Sequence, residues 1–434
     1  MAINKKITAI LLLFILSVGC FSGCIEQGPD DSNKKPTVLI KHPVEGNVVA
    51  NMVMVSGTAS DPDGDVLLVE IKIEDQDWQE AYGTKMWSFD WNLFLMNDGY
   101  YTISARSYDG ISYSNIVNVT VKVDKPEIVE SDAHKWAVFI AAANFPEDND
   151  SKLGNGGLFL AEDMAAYFIE SYGYSTSNIF ILFDDGWLRD EDGEGKPIMT
   201  LQERPHDYDV TYGGATNQNV YDTLNHVINE SNQFRDSEVF IWIFNHGYGD
   251  YNNSLTGGKI FERSDVFVWD DIISDRDLGE LLSPLKSQKT CIIVDACFCG
   301  GFADKTILNF PTFFLLRSGL PKNGRIILTG ASKFRQGYAS TTQGPLFTLF
   351  WFEGITSGKA DGFKPGLFER GKPTNLNLFK DGKVSVEEAF YYSSYTLRTN
   401  EALEEYDTSH PQINDRYPRR GLILSKKEMF LGES

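Results

Sequence analysis

A histidine and a cysteine each stand at the end of an apolar run in this 434-residue chain. The runs are Phe240-Ile241-Trp242-Ile243-Phe244-Asn245-His246-Gly247 and Cys291-Ile292-Ile293-Val294-Asp295-Ala296-Cys297. A thiol with a pKa of about 8.5 is only slightly ionised at neutral pH, so a nucleophilic cysteine needs a base beside it. An imidazole can take that proton and later hand one to a leaving amine. Gly247 lacks a Cβ, which lets its backbone N–H approach a substrate carbonyl, and the small Ala296 leaves room beside the thiol. A His and a Cys delivered together are what a thiol-dependent hydrolase requires.

Two other thiols compete for the role. Cys299 follows two residues on, in Cys297-Phe298-Cys299-Gly300-Gly301, and Cys291 opens the strand; both read as packing residues. Cys-x-Cys without a second pair falls short of a zinc pattern. His134, His206, His226 and His410 stand in polar or helical surroundings and read as solvated.

Apolar runs of this length, bounded by polar residues, suit strands buried on both faces of a parallel sheet. Open α/β sheets collect reactive groups just beyond the carboxyl ends of such strands. The flanking chain alternates accordingly. It reads as a strand over 135–144, a helix over 158–172, a strand over 179–183, a helix over 220–229 and a helix over 277–286. An insert over 250–271 separates the His and Cys strands, and Ser385-Val386-Glu387-Glu388 reads as a capping box that opens a later helix. Ahead of this region the texture is all-β, with short strands over 38–40, 52–55, 67–73, 100–105 and 117–121 and turn signals between them. That spacing suits an immunoglobulin-like sandwich, and the alternation of Trp87, Phe89 and Trp91 gives one aromatic, inward face. The expected fold class is therefore an α/β domain with a mostly parallel sheet flanked by helices, over 134–428, preceded by an all-β sandwich over 36–124. A tether over 25–35 and a linker over 125–133 complete the organisation.

Five blocks in order resemble the legumain-type cysteine peptidases (asparaginyl endopeptidases) of the caspase-like clan. They are Lys135-Trp136-Ala137-Val138-Phe139-Ile140-Ala141-Ala142-Ala143-Asn144, Asn245-His246-Gly247, Asp295-Ala296-Cys297, Arg325-Ile326-Ile327-Leu328-Thr329-Gly330-Ala331-Ser332 and Leu346-Phe347-Thr348-Leu349-Phe350-Trp351-Phe352-Glu353. The resemblance covers about two-thirds of the chain, from Lys135 to near Leu424. It implies a caspase-like arrangement and a cysteine endopeptidase that passes through a Cys297 thioester, with His246 as acid/base. It further implies oxyanion donors at the Gly247 and Cys297 backbone N–H groups, and Asn144 holding the histidine ring. Asp295 then belongs to the substrate pocket, favouring a cationic or amide-bearing P1 side chain. Pro345 stands where the family has a second acidic pocket residue, and Phe145-Pro146-Glu147 replaces its Arg-His pair, so a strict preference for Asn is not implied. The same acyl-enzyme would serve a peptide ligase or transpeptidase if an amine replaced water. A caspase-like surface scaffold without turnover is the remaining alternative.

At the N-terminus Lys5-Lys6 precede an apolar stretch over 7–18 that is short for a membrane span. Ser22-Gly23-Cys24 and a polar, acidic tail follow, which reads as a prokaryotic lipoprotein signal over 1–24. Cys24 is the lipid-bearing residue in this reading, with Cys20 as the alternative, and the protein is expected on the extracellular face of the cell membrane. A formal charge of −22 argues against nucleic acid as a partner. The expected partners are a peptide or protein substrate and, through the anchor, a membrane. No cofactor is expected. Asp61-Pro62-Asp63-Gly64-Asp65 and Asp190-Glu191-Asp192-Gly193-Glu194 are dense enough in carboxylates for Ca²⁺, although an Asx/Gly turn is the simpler reading of each.

Overall fold

The computed structural model describes residues 33–94, 96–124, 134–143, 152–190, 196–248, 262–306, 310–365, 374–375, 379–399, 409–419 and 427–433. The chain divides into two units, Met1–Lys34 and Lys35–Ser434. Cys24 and Asn144 lie outside the described residues.

Lys35–Ser434 begins with a two-sheet sandwich. One sheet orders Thr37–His42, Met52–Ser60, Met86–Asn92 and Tyr82–Gly83; the other orders Val48–Val49, Val117–Val123, Gly99–Tyr108, Leu68–Ile73 and Gln79–Glu80. Side chains alternate across a strand, so Trp87 and Trp91 turn inward together, onto Val55, Ile71, Ile103 and Val121, with Phe89 at the margin of this core.

The Met52–Ser60 strand is buried on its second face as well. An antiparallel sheet commonly leaves that face to water, yet Met52, Met54, Ser56 and Ser88 are all buried. They cover the α/β layer. Met54 Sδ fills the space a side chain at Gly186 would need, and Met52 Sδ does the same at Gly213. Ser88 Oγ donates to the Asp185 carbonyl at 3.2 Å, Asn51 Nδ2 to Thr211 Oγ1 at 3.2 Å, and the Gly214 N–H to Asp90 Oδ1 at 3.3 Å. The strand so covered, Thr211–Gly213, is the edge of the large sheet, and covering an edge blocks unwanted strand pairing. The sandwich is thus docked, which the reading of a module on a linker did not include.

The large sheet orders Thr211–Gly213, Ile179–Phe183, Lys135–Ala142, Glu238–Asn245, Lys289–Asp295, Arg325–Thr329 and Gln412–Asp415. Every pairing is parallel except the last. Phe244 stands opposite Asp295, so the two strands end at one level, with His246 and Cys297 each following within two residues. On one face lie α1 (Gly156–Tyr172), α4 (Leu346–Thr356) and α5 (Val386–Thr399), packed on Phe139, Phe240 and Trp242. On the other lie α2 (Asn217–Ser231) and α3 (Asp275–Leu281), packed on Val138, Ile241 and Ile292.

Helices α2 and α3 start ahead of their apolar periodicity because their caps do. Thr216 accepts from the Asn219 N–H, and Ser274 forms a reciprocal capping box with Asp277. The box expected ahead of α5 is present: the Glu388 N–H donates to Ser385 Oγ at 3.1 Å and the Ser385 N–H to Glu388 Oε2 at 3.0 Å. The packed chain runs past residue 428, since Met429 and Leu431 are buried and the Val386 N–H donates to the Met429 carbonyl at 2.8 Å. Among the described residues no helix is long and apolar enough to cross a membrane.

Candidate active site

Every residue of Glu238–Asn245 is buried, and the chain turns as soon as the apolar run ends. Asn245 organises that turn. Its Oδ1 accepts the His246 backbone N–H at 2.6 Å, and its Nδ2 donates to the Phe267 carbonyl at 2.8 Å. The Phe267 N–H returns a bond to the His246 carbonyl at 3.0 Å. The histidine is therefore presented from a backbone held on two sides. Sequence reasoning gave Asn245 no role of its own; a short amide at a strand end was the available signal.

Gly247 packs directly on the nucleophile's backbone. A Cβ there would stand 1.9 Å from the Cys297 carbonyl oxygen and 3.1 Å from its nitrogen, so only glycine fits. Its N–H hydrogen-bonds toward the Cys297 thiol. Cys297 Sγ also lies 3.7 Å from the Gly337 carbonyl. Burial pushes this thiol up, the neighbouring Asp295 charge adds to that, and the backbone bonds at Gly337 and Gly247 oppose it. The resting thiol is protonated and needs a base.

The turn after the nucleophile is strained. Phe298 has φ of 57°, a left-handed conformation that side chains larger than glycine rarely adopt and that clusters at functional sites. Ser264 holds it there: its Oγ donates to the Phe298 carbonyl at 2.5 Å and accepts the Gly301 N–H at 3.0 Å. Asp275 supports Ser264 in turn, accepting its N–H at 3.1 Å and Arg263 Nη1 at 2.9 Å. Arg263 and Ser264 of this network lie in the region read as a plain insert, and nothing in their local sequence marked them.

The two rival thiols are separated from the cleft. Cys299 Sγ is directed at the Val294 and Ala331 carbonyls, 3.4 and 3.5 Å away, and burial pushes it up to about 12. Cys291 is fully buried. By contrast, His246, Asp295, Ala296 and Cys297 line one cavity with Leu153, Phe244, Asn245 and the Gly337-Tyr338-Ala339 segment. Its volume is about 30 Å³, room for about one water molecule.

Asp295 was expected as a carboxylate of the substrate pocket, and the structure commits its oxygens to the start of α4. It borders the cavity, but it is 2% exposed and its Oδ2 accepts both the Thr348 N–H at 3.0 Å and Thr348 Oγ1 at 2.8 Å. Gly330 packs against Oδ1, where a Cβ would stand 2.0 Å away. The reason lies at α4. Its N-cap residue is Pro345, whose side chain cannot accept a hydrogen bond, so Asp295 caps the helix from the next strand. Burial pushes this carboxyl up to about 6, with the Thr348 bonds opposing.

Three of the histidines read as solvated are packing residues instead. His226 stacks on Phe94 of the sandwich with ring centroids 3.8 Å apart, His206 on Tyr212 at 4.1 Å, and His134 on Phe234 at 3.7 Å. A flat ring with a polar edge serves such half-buried junctions well. The Asp61 turn is an Asx turn, with Asp61 Oδ1 accepting the Asp63 N–H at 3.0 Å. In the second acidic loop Asp190 Oδ1 accepts the Lys196 N–H at 3.2 Å, and residues 191–195 lie outside the described residues.

No curated protein sequence matches the chain. Among solved structures, caspase-1 from Spodoptera frugiperda is similar over 65% of this chain and 86% of its own, at 9% identity and a TM-score of 0.35. A likeness that distant carries no argument about the site. The fibronectin(III)-like modules of Clostridium thermocellum CbhA match 23% of this chain and 52% of their own, at 22% identity and a TM-score of 0.20. The endo-beta-1,4-mannanase from Thermotoga petrophila matches 21% of this chain at 18% identity and a TM-score of 0.20. The chain spans about a fifth of that enzyme, 20%. Residues 36–105, within the sandwich, match the family described as Bacterial Ig domain.

Proposed function

We propose that this protein is a cysteine endopeptidase in which Cys297 is the nucleophile and His246 its acid/base partner. The observation that supports this most is the packing of Gly247 onto the Cys297 backbone at the ends of two adjacent parallel strands, with the Gly247 N–H turned toward the thiol. In the proposed reaction His246 takes the Cys297 proton and the thiolate adds to the peptide carbonyl. The Gly247 and Cys297 N–H groups receive the oxyanion; loss of one such donor typically costs about 3 kcal/mol. Collapse expels the amine, which takes the proton from His246 and leaves a thioester. Water then gives its proton to His246, adds to the thioester and releases the carboxylic acid with the thiol restored.

The finer reading is a legumain-type peptidase with Asn144 steering the histidine ring. Asp295 then acts on the pocket through α4, favouring a cationic or amide-bearing P1 residue. A cavity of about 30 Å³ holds no such side chain. Cys24 carries the lipid in this proposal and places the enzyme on the outer face of the membrane.

A peptide electrophile directed at thiols, followed by mapping of the modified residue, tests the assignment. Modification at Cys297 that His246→Ala slows supports it. Modification at Cys299, or full peptidase activity in Cys297→Ala, overturns it.

A further inference from the structure

The segment just after the nucleophile turn ends in an apolar tip with no part in the proposed chemistry. Phe310 is 59% exposed, Phe313 53%, Phe314 77% and Leu315 82%. The backbone beneath them is tied down. Asp304, itself buried, accepts the Ser318 N–H at 2.6 Å and Ser318 Oγ at 2.9 Å through Oδ1, and its carbonyl accepts the Thr312 N–H at 2.9 Å. Arg263 Nη2 donates to the Leu315 carbonyl at 3.3 Å. Such a hold on the base presents large apolar side chains to water. Four large apolar side chains exposed within six residues of chain mark a docking site.

Its charge setting says what docks. From Lys305 to Arg325 the sequence has no Asp or Glu, whereas the whole chain carries 61 acidic against 39 basic residues. Lys305, Arg317 and Lys322 flank the four side chains in sequence; the Arg317 guanidinium lies 5.6 Å from the centre of the Phe314 ring, and Lys322 Nζ donates to the Ser283 carbonyl at 3.0 Å. The exposed area of the four apolar side chains is roughly 500 Å², taking about 200 Å² for each full side chain. Exposed Phe and Leu side chains with a guanidinium beside them and no acidic group in their segment fit the headgroup boundary of a lipid bilayer, where aromatic rings and cations both settle favourably.

We propose that the tip formed by Phe310, Phe313, Phe314 and Leu315 inserts into an anionic membrane surface and, with its basic flank, gives the protein a lipid contact separate from any N-terminal anchor. A single acyl chain binds only marginally, so a second contact of this kind would fix the orientation of the cleft over the bilayer. The proposal does not depend on the peptidase reading.

The test uses the compact unit Lys35–Ser434, which holds all the packed cores described above and no anchor. It is spun with vesicles of phosphatidylcholine alone or mixed with phosphatidylglycerol. The expected result is binding to the anionic vesicles that high salt weakens and that the double variant Phe314→Ser/Leu315→Ser lowers about tenfold. Both positions face solvent, so the variant keeps the parent's thermal melt, and a melt check separates lost insertion from lost folding. Equal binding by parent and variant overturns the proposal, as does no binding to anionic vesicles. A parent that elutes as a dimer dissolved by the same substitutions, without vesicle binding, reassigns the tip to a second copy of the chain.

Discussion

At the centre of the large sheet, Glu238–Asn245 and Lys289–Asp295 are covered on both faces by helices of their own domain, and His246 and Cys297 emerge just past them. At the Thr211–Gly213 margin the cover comes from the sandwich, through Met52 and Met54 and through polar groups such as Ser88 and Asp90. The centre is largely apolar below; at its rim Asn245 and Ser264 hold the turns that carry His246 and Cys297, and Asp295 holds the start of α4. The margin mixes apolar contact with a titratable carboxyl at an interface. The candidate site therefore lies in a region covered by its own domain, and the sandwich docks on a region where the second domain supplies the cover.

The largest effects should come from the centre. Cys297→Ala and His246→Ala should each lower turnover by about 10⁴-fold or more, with little further loss when combined, because the two groups act as a unit. Turnover of a fluorogenic peptide checks this, and Cys299→Ala should keep most activity. Gly247→Ala forces a methyl into the Cys297 carbonyl and should cost about 10²- to 10³-fold in kcat, as loss of an oxyanion donor does.

Met54→Ala at the margin should cost about 2–5 kcal/mol of stability by cavity formation, measured by denaturant unfolding. Activity per folded molecule should stay unchanged; a parallel fall in kcat would break the separation between centre and margin.

A smaller effect concerns pH. Burial pushes the Asp90 carboxyl up to about 7, with the Asp185 and Asp270 charges adding and the Gly214 and Asn219 bonds opposing. The folded state then holds a proton that the unfolded chain releases near pH 4. Stability from this group is full below about 4 and is lost as pH rises toward about 7. Asp295 and Glu387, pushed up to about 6 and about 8, act with the same sign, so the informative quantity is the difference between parent and Asp90→Asn. The variant should show a shallower fall in melting temperature across that window. An unchanged slope would remove Asp90 from the docking surface's pH response. The smallest effect is Ser385→Ala, which deletes the α5 cap and should cost about 1 kcal/mol in the same unfolding measurement.

Much of the centre was legible because its signals are local. The Ile179–Phe183 strand has the expected bounds, and the Ser385–Glu388 box was readable because its two partners lie three residues apart. Trp87 and Trp91 followed from period-two alternation alone. The margin was not legible. Met52 and Met54 on an outward face were a signal, but their partners at Gly213 and Gly186 are more than a hundred residues away, where no short-range pattern reaches. His226 read as polar for the same reason, since Phe94, the ring it stacks on, belongs to the other domain.

What the sequence determined by itself is therefore the longer elements and the candidate reactive groups, because periodicity, caps and side-chain chemistry act over a few residues, whereas short strands such as Thr211–Gly213 and Gln412–Asp415 carried no such signal. The tertiary structure decided how those groups are committed. It turned Cys297 to the cleft and buried Cys299 two residues on, and it gave Asp295 to Thr348, 53 residues away. It also closed the sheet's edge with the sandwich. Each of these depends on which buried hydrogen-bonding group finds a partner once the layers have packed, and that is settled only in three dimensions.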